Sequence, residues 1–487
     1  MPENKWSART WHRKASRPVS LWMMVFILVG ATHTLVPNYR WVLIHLFTLG
    51  LVSNSIIVWS QHLTEKFTQQ RLPESTRPTQ LARIYGLNAG IILALIGQIL
   101  MEFWSQHWIV TQVGATLIAL MMLWHAVSLF QQWRGAKDKR FRPVVGAYVL
   151  SALCLPVGAI LGGLLAVYPG HPTLLLAHIA ANIGGFIGLA AAGSLTILFP
   201  SIWRTQGINR HMHSSFALLA VGVVATIVGA FLGFPQLGLI AYCCGWALSL
   251  QQWLANVLTV AKDPRDRITF ASVSVLMASL WLVLSLVYYT VQHFFMPEPA
   301  LPTLALLVGF AGQLLIGVMS YLLPSTMGGG PAAVRAGLQQ LDKLGLLRAT
   351  FVNGGLLIWI GTDISLLKVV ASLLCILSLA VYPVLIARAV KAQKQVLMKK
   401  AEGPDPKPGP EWNQVYAGIA ILAVIYAIFT ALEYPARRHP STREPRGWPG
   451  RRRSYSPANA AAPRGHRLAP RGARSRILRR RSLLLAR

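Results

Sequence analysis

Residues 45–62 read HLFTLGLVSNSIIVWSQH. Sixteen residues without a formal charge lie between two histidines. With the apolar residues just before His45, the stretch reaches the roughly 20 residues that a spanning helix needs. A backbone in lipid finds no outside partner, so such a run must be helical. The same pattern recurs along the chain. Thirteen candidate spans lie near 20–37, 40–61, 84–105, 108–132, 143–168, 173–200, 213–233, 236–261, 268–293, 300–324, 345–361, 365–386 and 413–433. The expected fold is all-α: a polytopic transmembrane bundle of about twelve helices plus one C-terminal tether helix.

Composition agrees. The 487 residues are 54% hydrophobic and 13% charged, with a mean hydropathy of +0.48. Charged residues make up about 25% of an ordinary soluble domain, so that class is excluded. The net charge of +31 has two sources. Residues 436–487 hold 16 Arg, no Lys and one acid, Glu444, which accounts for about half of it. The rest follows the loops. The N-terminus and the even-numbered loops carry 28 Lys and Arg, against two, Arg40 and Lys368, near the odd-numbered ones. By the positive-inside rule the N-terminus is cytoplasmic and the C-terminus extracytoplasmic, in a multi-pass plasma-membrane protein. The basic character then marks topology, and no nucleic-acid partner is expected.

The organisation expected is a basic N-terminus (1–19), a twelve-helix domain (20–400), a Pro- and Gly-rich linker (401–412), a tether helix (413–433) and an Arg- and Pro-rich tail (436–487). The tail lacks apolar periodicity and reads as disordered. Its freedom from lysine suggests a frameshifted reading of a longer chain. Gly158/Gly162, Gly184/Gly188 and Gly229/Gly233 have the spacing that lets membrane helices approach closely. No internal repeat is evident. Cys154, Cys243, Cys244 and Cys375 lie in apolar runs without metal or redox spacing.

Ionisable residues inside a membrane are costly and mark function. Neutral imidazole is a ligand for haem iron and copper. His33, His45 and His178 fall four to five residues from the outer ends of three different spans. They therefore share one depth layer. With His125 they are the candidate cofactor ligands, and His62 joins His33, His45 and His178 as a candidate metal ligand. Thr48, Asn54 and Asn182 are placed to orient imidazoles. Glu102 is the acid expected deepest in a span, either on a proton path or reaching back to the outer surface. For each histidine, an ordinary interhelical hydrogen bond is the alternative role. Gly328-Gly329-Gly330-Pro331 lacks the GK[ST] of a phosphate loop, and no CxxCH or HExxH occurs.

The segment His45-Leu46-Phe47-Thr48-Leu49-Gly50, with His62 closing the helix, resembles the HLxTLG helix of haem-copper-oxidase-like and NnrS-like membrane proteins. SYLLPSTMGGGPA (320–332) and AHIAANIGGFIGLAAAGSLTILFP (177–200) resemble the membrane portion of actinobacterial copper-containing nitrite reductases and related multicopper oxidases. That resemblance implies a twelve-helix module joined through a further helix to extracytoplasmic cupredoxin domains that reduce nitrite to nitric oxide. It also implies haem b, copper and a membrane electron donor. The chain departs from haem-copper oxidases in having no adjacent His pair and no histidine inside its later spans. The other functions left open are a transporter for metal ions or small molecules, and a membrane protein responsive to nitric oxide or metal.

Overall fold

A computed structural model describes residues 8–437 apart from 138, 207–209 and 297. The reading of residues 438–487 as a disordered or frameshifted tail lies outside the described residues. Those described form helices and no strands. In chain order they are α1 (Thr10–Ala31), α2 (Tyr39–Thr68), α3 (Glu74–Glu102), α4 (Trp108–Gly135), α5 (Arg142–Val167), α6 (Pro172–Trp203) and α7 (Met212–Leu232). Then follow α8 (Gln236–Lys262), α9 (Phe270–Gln292), α10 (Ala305–Met327), α11 (Gly330–Leu341), α12 (Gly345–Gly361), α13 (Ser365–Leu397) and α14 (Trp412–Glu433). Eleven are long and apolar enough to cross a membrane, and α11 with α12, bent by 40° at their break, makes a twelfth. The remaining expected span is α8, 27 residues long, whose apolar run is interrupted by Gln251, Gln252 and Asn256. The chain is therefore an all-α, multi-pass membrane bundle. Large apolar side chains such as Leu21, Val113, Ile160, Val224, Leu284 and Leu373 point outward, the surface that lipid requires.

Within this bundle a repeat emerges that the sequence hides. Helices α2, α6 and α10 each contain a π-helical segment: Leu46–Ser53, Ala180–Gly188 and Ala305–Gly312. Gly50, Gly185 and Gly309 hold matching places in them. Each is pressed against the first helix of its own group of four. A methyl on Gly50 would meet Trp22 of α1 at 2.9 Å, on Gly185 Cys154 of α5 at 2.5 Å, and on Gly309 Trp281 of α9 at 2.7 Å.

The hydrogen bonds repeat too. Trp22 Nε1 donates to Asn88 Oδ1 at 2.5 Å, and Trp281 Nε1 donates to Asn353 Oδ1 at 2.8 Å. The Asn54 amide donates to Gly50 O and Asn88 Oδ1 at 2.8 and 3.1 Å. The Gln313 amide donates to Gly309 O and Asn353 Oδ1 at 3.0 and 3.1 Å. Asn88 and Asn353 return a bond to Asn54 and Gln313 at 2.7 and 2.8 Å. In the second group the cluster is apolar: Gly185 packs between Cys154 and Val223. Helices α1–α13 thus form three four-helix repeats, α1–α4, α5–α8 and α9–α13, with α11 inserted in the third and α14 outside them. Buried polar groups must be satisfied or replaced by apolar ones together, so the cluster survives intact twice and is absent as a set once.

The glycine pairs divide. Gly158 and Gly162 of α5 receive Asn182 and His178 of α6, and Gly184 and Gly188 receive Val223 and Tyr242. Gly233 instead ends α7 at φ +83, where the left-handed backbone favours glycine. A tight backbone seam is α3 on α4, where a methyl on Gly114 would lie 2.5 Å from Ala94 N and 2.7 Å from Gly90 O. Backbone cannot yield as a side chain can. Gly114→Ala is expected to lower stability by about 1–3 kcal/mol, read as a fall in the detergent unfolding midpoint. An unchanged midpoint would show that the helices do not meet there.

Segment 401–412 is not a free linker. Asp405 O accepts from Gln339 Nε2 at 2.6 Å, and Lys407 Nζ reaches Asp342 at 2.9 Å. The connection to α14 is pinned to α11 and its C-terminal turn.

Candidate functional site

His45 lies one residue before the π-helical segment of α2, and His178 two residues before that of α6. The positions of His45 and His178 at one depth become a contact: their ring centroids are 6.3 Å apart, inclined by 37°. Each ring is fixed by its own surroundings. His45 Nδ1–H donates to Trp41 O, one turn back, at 2.8 Å, and the ring stacks on the Trp41 indole at 3.7 Å. His178 Nδ1–H donates across to Gly158 O on α5 at 2.9 Å. The imidazole fits there because Gly162 has no side chain; a Cβ would sit 2.9 Å from His178 Cε1. Asn182 folds back on the same turn, its amide donating to His178 O at 2.8 Å and lying 3.2 Å from Nδ1.

A carbonyl at Nδ1 sets the tautomer. The proton stays on Nδ1 and the Nε2 lone pair remains for another partner. Both histidines keep the proton on Nδ1, on helices of two different repeats, and Nε2 of His178 has the Asn182 amide 3.4 Å away.

The other expected ligands are elsewhere. His33 lies in the turn after α1, with Nδ1 bonded to Gly30 O at 2.9 Å and its ring 5.1 Å from Tyr39. His125 is buried on α4, its Nε2 2.9 Å from Ser60 Oγ. His62 pairs with His12 of α1, Nδ1 to Nε2 at 2.8 Å. Thr48 Oγ1 bonds back to Ile44 O at 2.8 Å, and Asn54 belongs to the Trp22–Asn88 cluster. Among the described residues no three His, Cys, Asp or Glu side chains gather as a metal-binding group. The fold supplies two histidine pairs, His12–His62, whose ring nitrogens bond each other, and His45–His178.

Of the two roles left open for Glu102, its position matches the surface one. Glu102 is exposed in a turn at the end of α3. The deeply buried acid is Glu65, near the other end of α2 and 8% exposed, gripped by both terminal nitrogens of Arg77 at 2.9 Å. Its proximity to loop residues in sequence concealed it. Trp41 and Gly158 were likewise not evident, because an indole face and a backbone carbonyl carry no motif. No protein-family model matches the chain, and no curated protein matches it.

Proposed function

We propose that the chain is an integral-membrane redox module whose His45 and His178 are the two protein ligands of one metal. The supporting observation is the ring separation. Two imidazoles brought together from two different helices would be able to hold one metal ion, which would supply one-electron chemistry. Their ring centroids lie 6.3 Å apart. The donor set fits as well: two imidazoles, each with Nδ1 committed to a backbone carbonyl, with Nε2 of His178 approached by the Asn182 amide at 3.4 Å. The resemblance of HLFTLG names the group as haem b iron, with copper as the other metal that two imidazoles suit. Such a group supplies one-electron transfer. The protein's part is to hold both rings in the metal-ready tautomer, shield one face with Trp41, and exclude water.

The charge distribution supports an orientation with the N-terminus cytoplasmic and the histidine pair near the extracytoplasmic side. Electrons would then pass from a membrane donor towards extracytoplasmic cupredoxin domains reducing nitrite, the partners that the resemblance implies. The alternative is a permease for ions or small nitrogen species. The cavity at the centre of the three repeats carries no Asp, Glu, Lys, Arg or His on its wall, which disfavours an ion path.

The test is a reduced-minus-oxidised visible spectrum of the purified full chain, with metal analysis. A b-type alpha band at about one haem per chain is expected. Stoichiometric copper without a haem band would replace haem by copper. A colourless chain free of both would end the redox reading.

A further inference from the structure

At the centre of the bundle lies a cavity of about 100 Å³, bounded by α2, α6 and α10 with Tyr148 of α5. Its wall obeys the repeat. Six positions of α2 line it: 52, 55, 56, 59, 60 and 63. The positions 135 residues later line it from α6, and those 259 residues later line it from α10. Gly50, Gly185 and Gly309 are related by these same two offsets. Equivalent positions on three helices enclose an axis of pseudo-threefold symmetry, and the cavity lies on that axis. Leu63, Leu198 and Leu322 form a ring at one end; Val52, Ile187 and Ala311 form a ring at the other. The second ring sits at the ends of the three π-helical segments. An extra residue per turn rephases a helix, a common device at functional positions. Here it is repeated in all three repeats.

The chemistry of the wall defines what fits. Its hydroxyls are already engaged. Ser55 Oγ donates to Leu51 O at 2.8 Å, Ser60 Oγ is 2.9 Å from His125 Nε2, and Ser194 Oγ is 3.0 Å from Tyr148 OH. A buried water needs two to four polar partners; beyond these already bonded hydroxyls the wall is apolar. Apolar cavities of about 150 Å³ stay dry and accept benzene or xenon. Packing at interior density normally removes such a void, and Ala190, Ala191 and Ala311 keep it open.

We propose that this axial cavity is a binding site for one small, uncharged, apolar molecule of the dissolved-gas class. It stands independently of the histidine pair.

Xenon is the probe, with the full chain in nanodiscs and bound gas read by xenon NMR or by anomalous scattering from pressurised crystals. One saturable site on the axis is expected. Ala191→Leu and Ala311→Leu, which fill the void, are each expected to weaken xenon binding by at least about tenfold, with the helical circular dichroism unchanged. Should either filled variant fail to fold, Leu195→Ala reports from the opposite direction: the enlarged void binds xenon more tightly. Absence of a saturable site, or affinity indifferent both to filling and to enlargement, overturns the proposal. Ordered water filling the cavity in a crystal overturns it as well.

Discussion

His45→Ala and His178→Ala are each expected to remove the visible band of the reduced protein while leaving the helical fold in place. The two histidines lie on different repeats, α2 and α6, yet their rings face each other at 6.3 Å. If one metal bridges them, neither alone retains its binding. If each histidine only tied its own helix, both variants would keep the band. Graded variants separate ligation from packing. Asn182→Ala leaves both imidazoles and removes the amide beside His178, with an expected loss of about 10–100-fold in cofactor affinity. Gly162→Ala forces a methyl to 2.9 Å from His178 Cε1 and should act in the same direction by pushing the ring off Gly158 O. Full occupancy in both alanine variants of the histidines would exclude them as ligands.

Glu65→Ala is expected to destabilise the protein by about 3–5 kcal/mol, because it strands a buried guanidinium. Arg77 is 7% exposed, bonded twice to Glu65 and once to Gln80 Oε1, with the Trp11 ring 4.9 Å from its Cζ. Gln61 Nε2 adds a bond to Glu65 at 3.1 Å. With the carboxylate gone, nothing on that list carries a compensating negative charge. The double change Glu65→Leu with Arg77→Met should recover most of the loss, since an apolar pair of similar volume can replace a buried ion pair with little cost. Unfolding midpoints of the two single variants and the double variant complete the cycle. A loss below about 1 kcal/mol in Glu65→Ala, the range of an exposed ion pair, would show that water reaches the site.

Arg77 also shows where a charge reading stops. It counts among the 28 basic residues that orient the chain, as do Arg83 and Arg348, yet all three are buried, at 7, 3 and 5% exposure. Counting loop charge registers a residue's place along the chain and not the direction of its side chain. The asymmetry survives their removal, at 25 against two. The individual assignments do not.

The candidate site was half legible for a similar reason. Counting residues from the helix ends places His33, His45 and His178 at one depth, since rise per residue is fixed. Depth says nothing about azimuth. His33 ends in a turn against Tyr39, while His45 and His178 face each other. The groups that set their tautomers, Trp41 O and Gly158 O, are backbone atoms that any residue would supply.

The sequence by itself determined that the chain is helical and multi-pass, and where most of its long apolar helices lie. Lipid offers the backbone no partners, so every apolar run must satisfy its own hydrogen bonds, and its length and pattern suffice to define it. Only the tertiary structure decided the threefold repeat, the meeting of His45 with His178, and the cavity on the axis. Trp22, Asn54 and Asn88 recur as Trp281, Gln313 and Asn353, but the second repeat replaces the hydrogen-bonded set by Cys154 and Val223 around Gly185. Shape and packing were kept while the residue types changed, and contact across helices leaves no spacing in the chain to read.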